Sequence, residues 1–194
     1  MMRSFLVFML MLSPAVLAAQ VDLWKEVKPD AGPTRLARTP LTDAQRRAVF
    51  ALFRAKGQTH VWECESAQDA KELLSGLSFA KIPVAEAKAV YVVEAGAGCG
   101  RGGQGSNGAM WLVRFDGTGP VLMATPDEKF GGWLFSVQPT TSHGYRDVVL
   151  GWHTSAGEAG LTYFRFDGKR YQPTGSATEA WDEDGHPTIT PEPE

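Results

Sequence analysis

The chain has 194 residues, 43% of them hydrophobic, with 19 Lys and Arg against 22 Asp and Glu and a formal net charge of −3. That length suits a single domain able to bury about two-thirds of the surface its unfolded chain exposes. The near-neutral balance, with no basic patch interleaved with aromatics, argues against nucleic acid as a partner.

Residues 1–18 predict a secretory signal peptide. Arg3 supplies the positive n-region, Ser4 to Leu12 a short apolar run, and Pro14 breaks it. Ala15, Ala18 and Ala19 then offer small residues for cleavage, placed here after Ala18. The apolar run is too short to cross a bilayer and no second candidate span follows, so no membrane span is expected after signal removal. The competing reading is a retained N-terminal anchor. A periplasmic or secreted chain is the expectation. In that oxidising setting Cys64 and Cys99 are expected to pair, closing a loop of 35 residues. Such a disulfide contributes ~3–4 kcal/mol if unstrained. Two free thiols are the alternative, and cysteines this far apart give no zinc pattern.

Residues 19–38 read as irregular, broken by Pro29, Gly32 and Pro33. A helix follows: Thr42 caps it, Gln45 completes a capping box and Gly57 stops it. Val49, Leu52 and Phe53 share its apolar face, while Arg46, Arg47 and Arg54 form a solvated one. Thr59 to Glu63 alternates like a strand, and Ser66 to Leu74, with Asp69 three after Ser66, reads as a second short helix. From Ala89 the period becomes that of β-structure. Strands are predicted over Ala89–Glu94, Ala109–Phe115, Val121–Thr125, Trp133–Val137, Asp147–Trp152 and Leu161–Phe166. The expected fold is α+β, mostly antiparallel β in a propeller-like or sandwich-like sheet, with one or two short N-terminal helices and a single domain over 39–173. Trp111, Trp133 and Trp152 lie on these strands and are expected in its core.

Residues 174–194 read as a disordered acidic tail. They carry six acids, no Lys or Arg and one aromatic, Trp181, too little apolar area to offset ordering entropy. Setting the signal and this tail aside leaves 16 acids against 18 Lys and Arg, so the acidity belongs to the tail.

Arg114-Phe115-Asp116-Gly117 recurs as Arg165-Phe166-Asp167-Gly168. Asp-Gly tolerates the positive φ of a type I′ turn, so the second copy reads as a tight hairpin and the first as leading to a looser turn. The echo is either chance or a repeat of hairpins in a propeller-like sheet, and the repeat is favoured. Gly98-x-Gly100-x-x-Gly103 has the form of a dinucleotide fingerprint, but the next segment is a strand where that fingerprint must open a helix. A flexible hairpin connection is the better reading.

Ser142, His143 and Asp147 are the residue types of a hydrolytic triad, but known triads assemble from distant segments and no nucleophile elbow is present. Glu63, Glu65, Glu94 and Glu158 supply carboxylates without a spacing that selects a glycosidase pair. The turn before Asp147 places Thr140, Ser142 and Gly144 where a calcium loop wants carboxylates. His143 and His153 would take a transition metal only if the strands bring them together. No cofactor and no metal are expected.

The segment Gln138 to Tyr171 carries a family resemblance. Gly144-Tyr145-Arg146-Asp147 follows a polar turn and leads into an apolar strand. Ser155-Ala156-Gly157 then precedes Tyr163-Phe164-Arg165-Phe166-Asp167-Gly168. In this the chain resembles the periplasmic lysozyme-inhibitor type, in particular the β-propeller-like inhibitors of invertebrate-type lysozymes and the related immunity proteins paired with secreted peptidoglycan-degrading toxins. The likeness covers about one-fifth of the chain and extends loosely over its β half. The polar turn differs, carrying Thr-Thr-Ser-His where Asn and Asp are usual in that group. Inhibitors of this type insert a Ser-Gly-x-Tyr loop into the hydrolase cleft. Ser142 and Tyr145 keep that separation, with the glycine one place later at Gly144.

The resemblance implies a binding protein that does no chemistry, inhibiting or conferring immunity to a peptidoglycan hydrolase by loop insertion. Ser142, His143, Tyr145, Trp152 and His153 are the expected partner-binding residues, with the Ser142 and Tyr145 hydroxyls bonding the target and the Tyr145 ring supplying contact area. Trp152 and His153, at the end of the strand the loop begins, are expected to border the same patch. The alternatives are an extracytoplasmic hydrolase and a structural or sensor β-domain.

Overall fold

Thr42 starts helix α1 (Asp43–Ala55) as its spacing to Gln45 predicts. The Gln45 amide donates to Thr42 Oγ1 at 3.2 Å and the Thr42 amide to Gln45 Oε1 at 2.9 Å, so two orphan donors are satisfied reciprocally. Val49 and Phe53 are fully buried, Phe53 against the Trp111 ring at 4.8 Å. Arg47 and Arg54 stay in solvent. Arg46 does not: it donates to the Leu77 carbonyl and lies over the Phe79 ring at 5.3 Å.

The computed structural model describes residues 23–29, 34, 36–58, 76–86, 88–94 and 107–193. The signal peptide, the Thr59 to Glu63 strand, the Ser66 to Leu74 helix, the Gly98 to Gly103 cluster and both cysteines of the expected disulfide lie outside the described residues. Among the described residues no helix is long and apolar enough to cross a membrane.

Among the described residues nine strands follow: β1 (Ser78–Ile82), β2 (Ala89–Glu94), β3 (Gly108–Asp116), β4 (Gly119–Ala124), β5 (Gly131–Ser142), β6 (Tyr145–His153), β7 (Glu158–Phe166), β8 (Tyr171–Trp181) and β9 (Pro187–Pro191). All pairs are antiparallel, in the order β1-β2-β3-β5-β6-β7-β8-β9, with β4 pairing β3 off that path. The six strands predicted from Ala89 onward are all present. β1 and β9 are additional, β8 extends the expected second arm of the Asp167-Gly168 hairpin, and β5 runs on through Ser142.

One apolar cluster draws Ile82, Val90, Val92, Met110, Leu112 and Met123 from β1–β4 against Leu134, Val148, Leu150, Phe164 and Tyr171 from β5–β8. The two halves therefore face one another across a shared core, and the fold is α+β with a sandwich-like sheet. α1 covers the outer side of the first half over Phe79, Val93, Trp111 and Val113. Trp24 and Val27 cover the outer side of the second over Phe135, Val149, Leu161, Tyr163 and Ala177. The stretch read as irregular thus supplies core, and Thr34 ties it to β5 by donating its amide to the Leu134 carbonyl.

The halves join where β3 pairs with β5 at Gly108↔Gly132 and Ala109↔Gly131. Gly132 sits at φ +89, and a Cβ there would lie 2.0 Å from the Gly151 carbonyl oxygen. Gly132→Ala is expected to cost about 2–4 kcal/mol through combined backbone strain and overpacking. A thermal melt checks this, and an unchanged Tm would contradict it.

Residues 174–193 correct the expectation of disorder. β8 pairs with β7 from Phe166↔Tyr171 to Glu158↔Ala180, and β9 pairs with β8 from Trp181↔Pro187 to Ala177↔Pro191. The segment builds no core of its own. It extends an existing sheet, where ladder hydrogen bonds and the burial of Ala177 offset the entropy of ordering it.

Candidate functional site

The turn between β5 and β6 is only two residues, His143 and Gly144, closed by the Ser142↔Tyr145 pair. Both have positive φ, 50° and 79°, the backbone signature of a type I′ turn whose twist matches the flanking strands. The sequence places that geometry at the two Asp-Gly pairs instead. There the aspartates act as acceptors. Asp116 Oδ1 accepts from the Thr118 hydroxyl and amide at 2.7 and 3.0 Å. Asp167 Oδ1 accepts from the Arg170 and Lys169 amides, each at 2.7 Å. The Thr118 hydroxyl bond chiefly holds the Asp116 carboxyl below its ordinary pKa, and the Arg170 amide does the same for Asp167. Both copies close hairpins, but the tight one is the first: residues 117–118 separate β3 from β4, whereas residues 167–170 separate β7 from β8, the reverse of the expectation.

Behind the His143-Gly144 turn, Asp147 is wholly buried and heavily bonded. Ser142 Oγ donates to its Oδ1 at 2.8 Å and Thr140 Oγ1 to its Oδ2 at 2.8 Å. The Tyr163 hydroxyl lies 2.8 Å from Thr140 Oγ1 and 3.4 Å from Asp147 Oδ2. Burial is the main cause that raises the Tyr163 pKa. Arg165 Nε reaches Asp147 Oδ2 at 3.4 Å and donates to Ser142 Oγ at 3.2 Å. Ser142 is therefore a structural member of a buried network and not a free hydroxyl at a loop tip. Its oxygen is engaged by aspartate and arginine, while the His143 ring packs toward Gly168 on the neighbouring turn. The three triad-type residues are close in space without the serine–histidine bond a triad needs.

Tyr145 also departs from expectation. It is 7% exposed, its ring rests on Phe166 at 4.4 Å, and its hydroxyl accepts from Arg114 Nη1 at 2.9 Å. That bond is the largest cause raising the Arg114 pKa. Tyr145 belongs to the same buried cluster as Val148, Leu150 and Phe166. The residues left exposed at this hairpin end are Pro139, Thr140, Thr141, His143, Gly144 and Arg146.

Beneath the turn lies a cleft of about 680 Å³. One wall is the β1–β2 connection, with Pro83, Val84, Glu86 and Lys88, and the other is the β5–β6 hairpin, with His143, Tyr145 and Arg146. The Arg146 amide donates to the Val84 carbonyl at 2.7 Å, which ties the two walls together, and the Tyr171 hydroxyl donates to the Arg146 carbonyl at 2.7 Å from β8. Burial pushes the Tyr171 hydroxyl well above its ordinary pKa, so it remains a donor. The sequence offered no signal for the Pro83 to Lys88 wall, since only the β1–β2 pairing brings it here.

No family model, curated protein or solved structure matches this chain. Its site residues rest on their own geometry.

Trp152 and His153 do not share this end. They lie seven and eight residues along β6 from Tyr145, about 24–27 Å at the rise of an antiparallel strand. The Trp152 indole occupies the space over Gly160, where a Cβ would come within 2.3 Å of it. His153 is exposed and stacks on Trp133 at 4.5 Å. Asn107 clamps its backbone, accepting from the His153 amide at 2.8 Å and donating to its carbonyl at 3.1 Å. The expected single patch is thus two separate places.

Proposed function

We propose that this chain is an exported binding protein that recognises a macromolecule through the β5–β6 hairpin end and performs no chemistry on it. A peptidoglycan hydrolase is the proposed partner, by the resemblance of Gln138 to Tyr171. The observation that carries the binding reading is the Asp147 network. It spends the hydroxyls of Thr140, Ser142 and Tyr163 on fixing the hairpin, and it leaves His143 at the apex in a rigid two-residue turn. A contact surface ordered before the encounter loses little entropy on binding. Within this reading the contacting side chains are His143, Thr141 and Arg146, which are exposed. Ser142 and Tyr145 position them from below.

A pull-down with the chain lacking residues 1–18, from periplasmic or secreted fractions, tests the reading. A peptidoglycan hydrolase should be captured by the parent chain and lost with the His143→Ala/Arg146→Ala double variant, whose Tm should stay close to the parent's. Exposed interface residues of this kind cost about 1–2 kcal/mol or more when truncated at a hot spot, roughly a five- to thirtyfold loss of affinity. Capture that survives the double variant unchanged would sink this use of the hairpin. The absence of a hydrolase among captured proteins would remove the proposed partner.

A further inference from the structure

Tyr145 and Arg114 hold more donors than the described residues supply acceptors. Arg114 can only donate, so in its 2.9 Å contact with Tyr145 the tyrosine oxygen is the acceptor and the phenolic proton remains to be given away. No described residue accepts that proton. Arg114 Nε is buried and also lacks a partner, while its Nη2 reaches Asp116 at 3.4 Å. Buried polar groups are nearly always bonded, so two unmatched donors side by side call for an explanation. Tyr145 is one wall of the 680 Å³ cleft, whose other charged lining groups are Lys88 and Arg146 against Glu86. That is a single excess positive charge beside a donor polarised by a guanidinium. Pro83, Val84, Ala85 and Pro139 give the lining an apolar side, beside the polar Thr141 and His143.

We propose that this cleft binds a carboxylate that carries a small apolar group, with the Tyr145 hydroxyl donating to the carboxylate and Lys88 and Arg146 matching its charge. The volume falls within the range of small-ligand sites, about 300–1,000 Å³. One excess positive charge suits a monoanion better than a phosphate dianion. The carboxylate belongs either to a free small acid or to the C-terminus of a peptide, and the chemistry at Tyr145 is the same in both. This site needs no partner protein, so it stands or falls separately from the hydrolase reading.

The test is titration of the isotope-labelled chain lacking residues 1–18, followed by amide NMR, with four probes: hexanoate, acetyl-Ala-Ala-Ala with a free C-terminus, its C-terminal amide, and inorganic phosphate. Hexanoate or the free-acid peptide should shift the amides of Val84, Ala85, Tyr145 and Arg146 in a saturable manner. Hexanoate alone would assign a free acid, and the peptide alone a chain terminus. The peptide amide and phosphate should bind at least tenfold more weakly. Tyr145→Phe keeps the ring on Phe166 and should weaken the carboxylate at least tenfold. Silence of these amides toward both acids, an equal response to the peptide amide, a preference for phosphate, or undiminished affinity in Tyr145→Phe would each overturn the proposal. The acid-against-amide comparison on the parent chain decides the matter even if the variant folds poorly.

Discussion

Asp147→Ala is expected to lower stability by about 3 kcal/mol, because three hydroxyls and a guanidinium lose one acceptor together. Thr140 and Ser142 each donate to this carboxylate at 2.8 Å, Tyr163 stands behind Thr140, and Arg165 is 3.4 Å away. Arg165 is 45% exposed and can return to water, so the cost comes chiefly from the hydroxyls and not from an isolated buried charge. For a chain of this size about 3 kcal/mol lowers Tm by roughly 10 °C. Differential scanning calorimetry checks the value. Ser142→Ala removes one donor and should cost only about 1 kcal/mol. An Asp147→Ala protein that melts with the parent would show that the network does not brace the hairpin. The same experiment separates bracing from catalysis, since a hydrolase aspartate can be lost with little effect on melting.

The strands from Ala89 to Phe166 were legible because β-branched and aromatic residues alternate there between turn residues, as they do in AVYVVE. The helix cap was legible because Thr42 and Gln45 form a contact that sequence spacing alone specifies. The site was not readable in this way. Whether Ser142 and Tyr145 point out as a loop or in as strand residues depends on β5 continuing through Thr141↔Arg146 to Ser142↔Tyr145. A shift of one residue would exchange their faces. Pro139 and the run of Thr140, Thr141 and Ser142 mimic a loop, and only the two-residue turn beyond them shows that they are strand. The Arg114–Tyr145 bond joins residues 31 apart through the facing of two half-sheets. No local pattern encodes such a contact. Trp152 and His153 were placed with the hairpin because they are on its strand, yet nine residues of extended chain put the ends of β6 far apart.

Ending the chain after Thr174 is expected to abolish cooperative folding, whereas ending it after Trp181 should preserve it with a lower Tm. The first truncation removes the β7–β8 pairs from Tyr163↔Gly175 to Glu158↔Ala180, together with buried Ala177 and Glu179. It strips the edge from β7, whose Leu161 and Tyr163 form the floor under Trp24. At about 0.5–1.5 kcal/mol for each net ladder bond, plus the apolar area exposed, the loss reaches about 5 kcal/mol or more. The whole stability of a domain is about 5–15 kcal/mol. The second truncation removes β9, a five-residue edge strand with alternating half-buried and exposed side chains, of which Ile189 packs against the core. Its prolines at both ends mark a strand that closes an edge instead of holding the centre. Urea unfolding followed by tryptophan fluorescence distinguishes the two chains. If the Thr174 truncation unfolds at the same midpoint as the full chain, the acidic segment contributes nothing to the fold. A loss of the transition in that chain alone places the domain boundary beyond β8, and makes the acidity of 174–194 a property of a sheet edge.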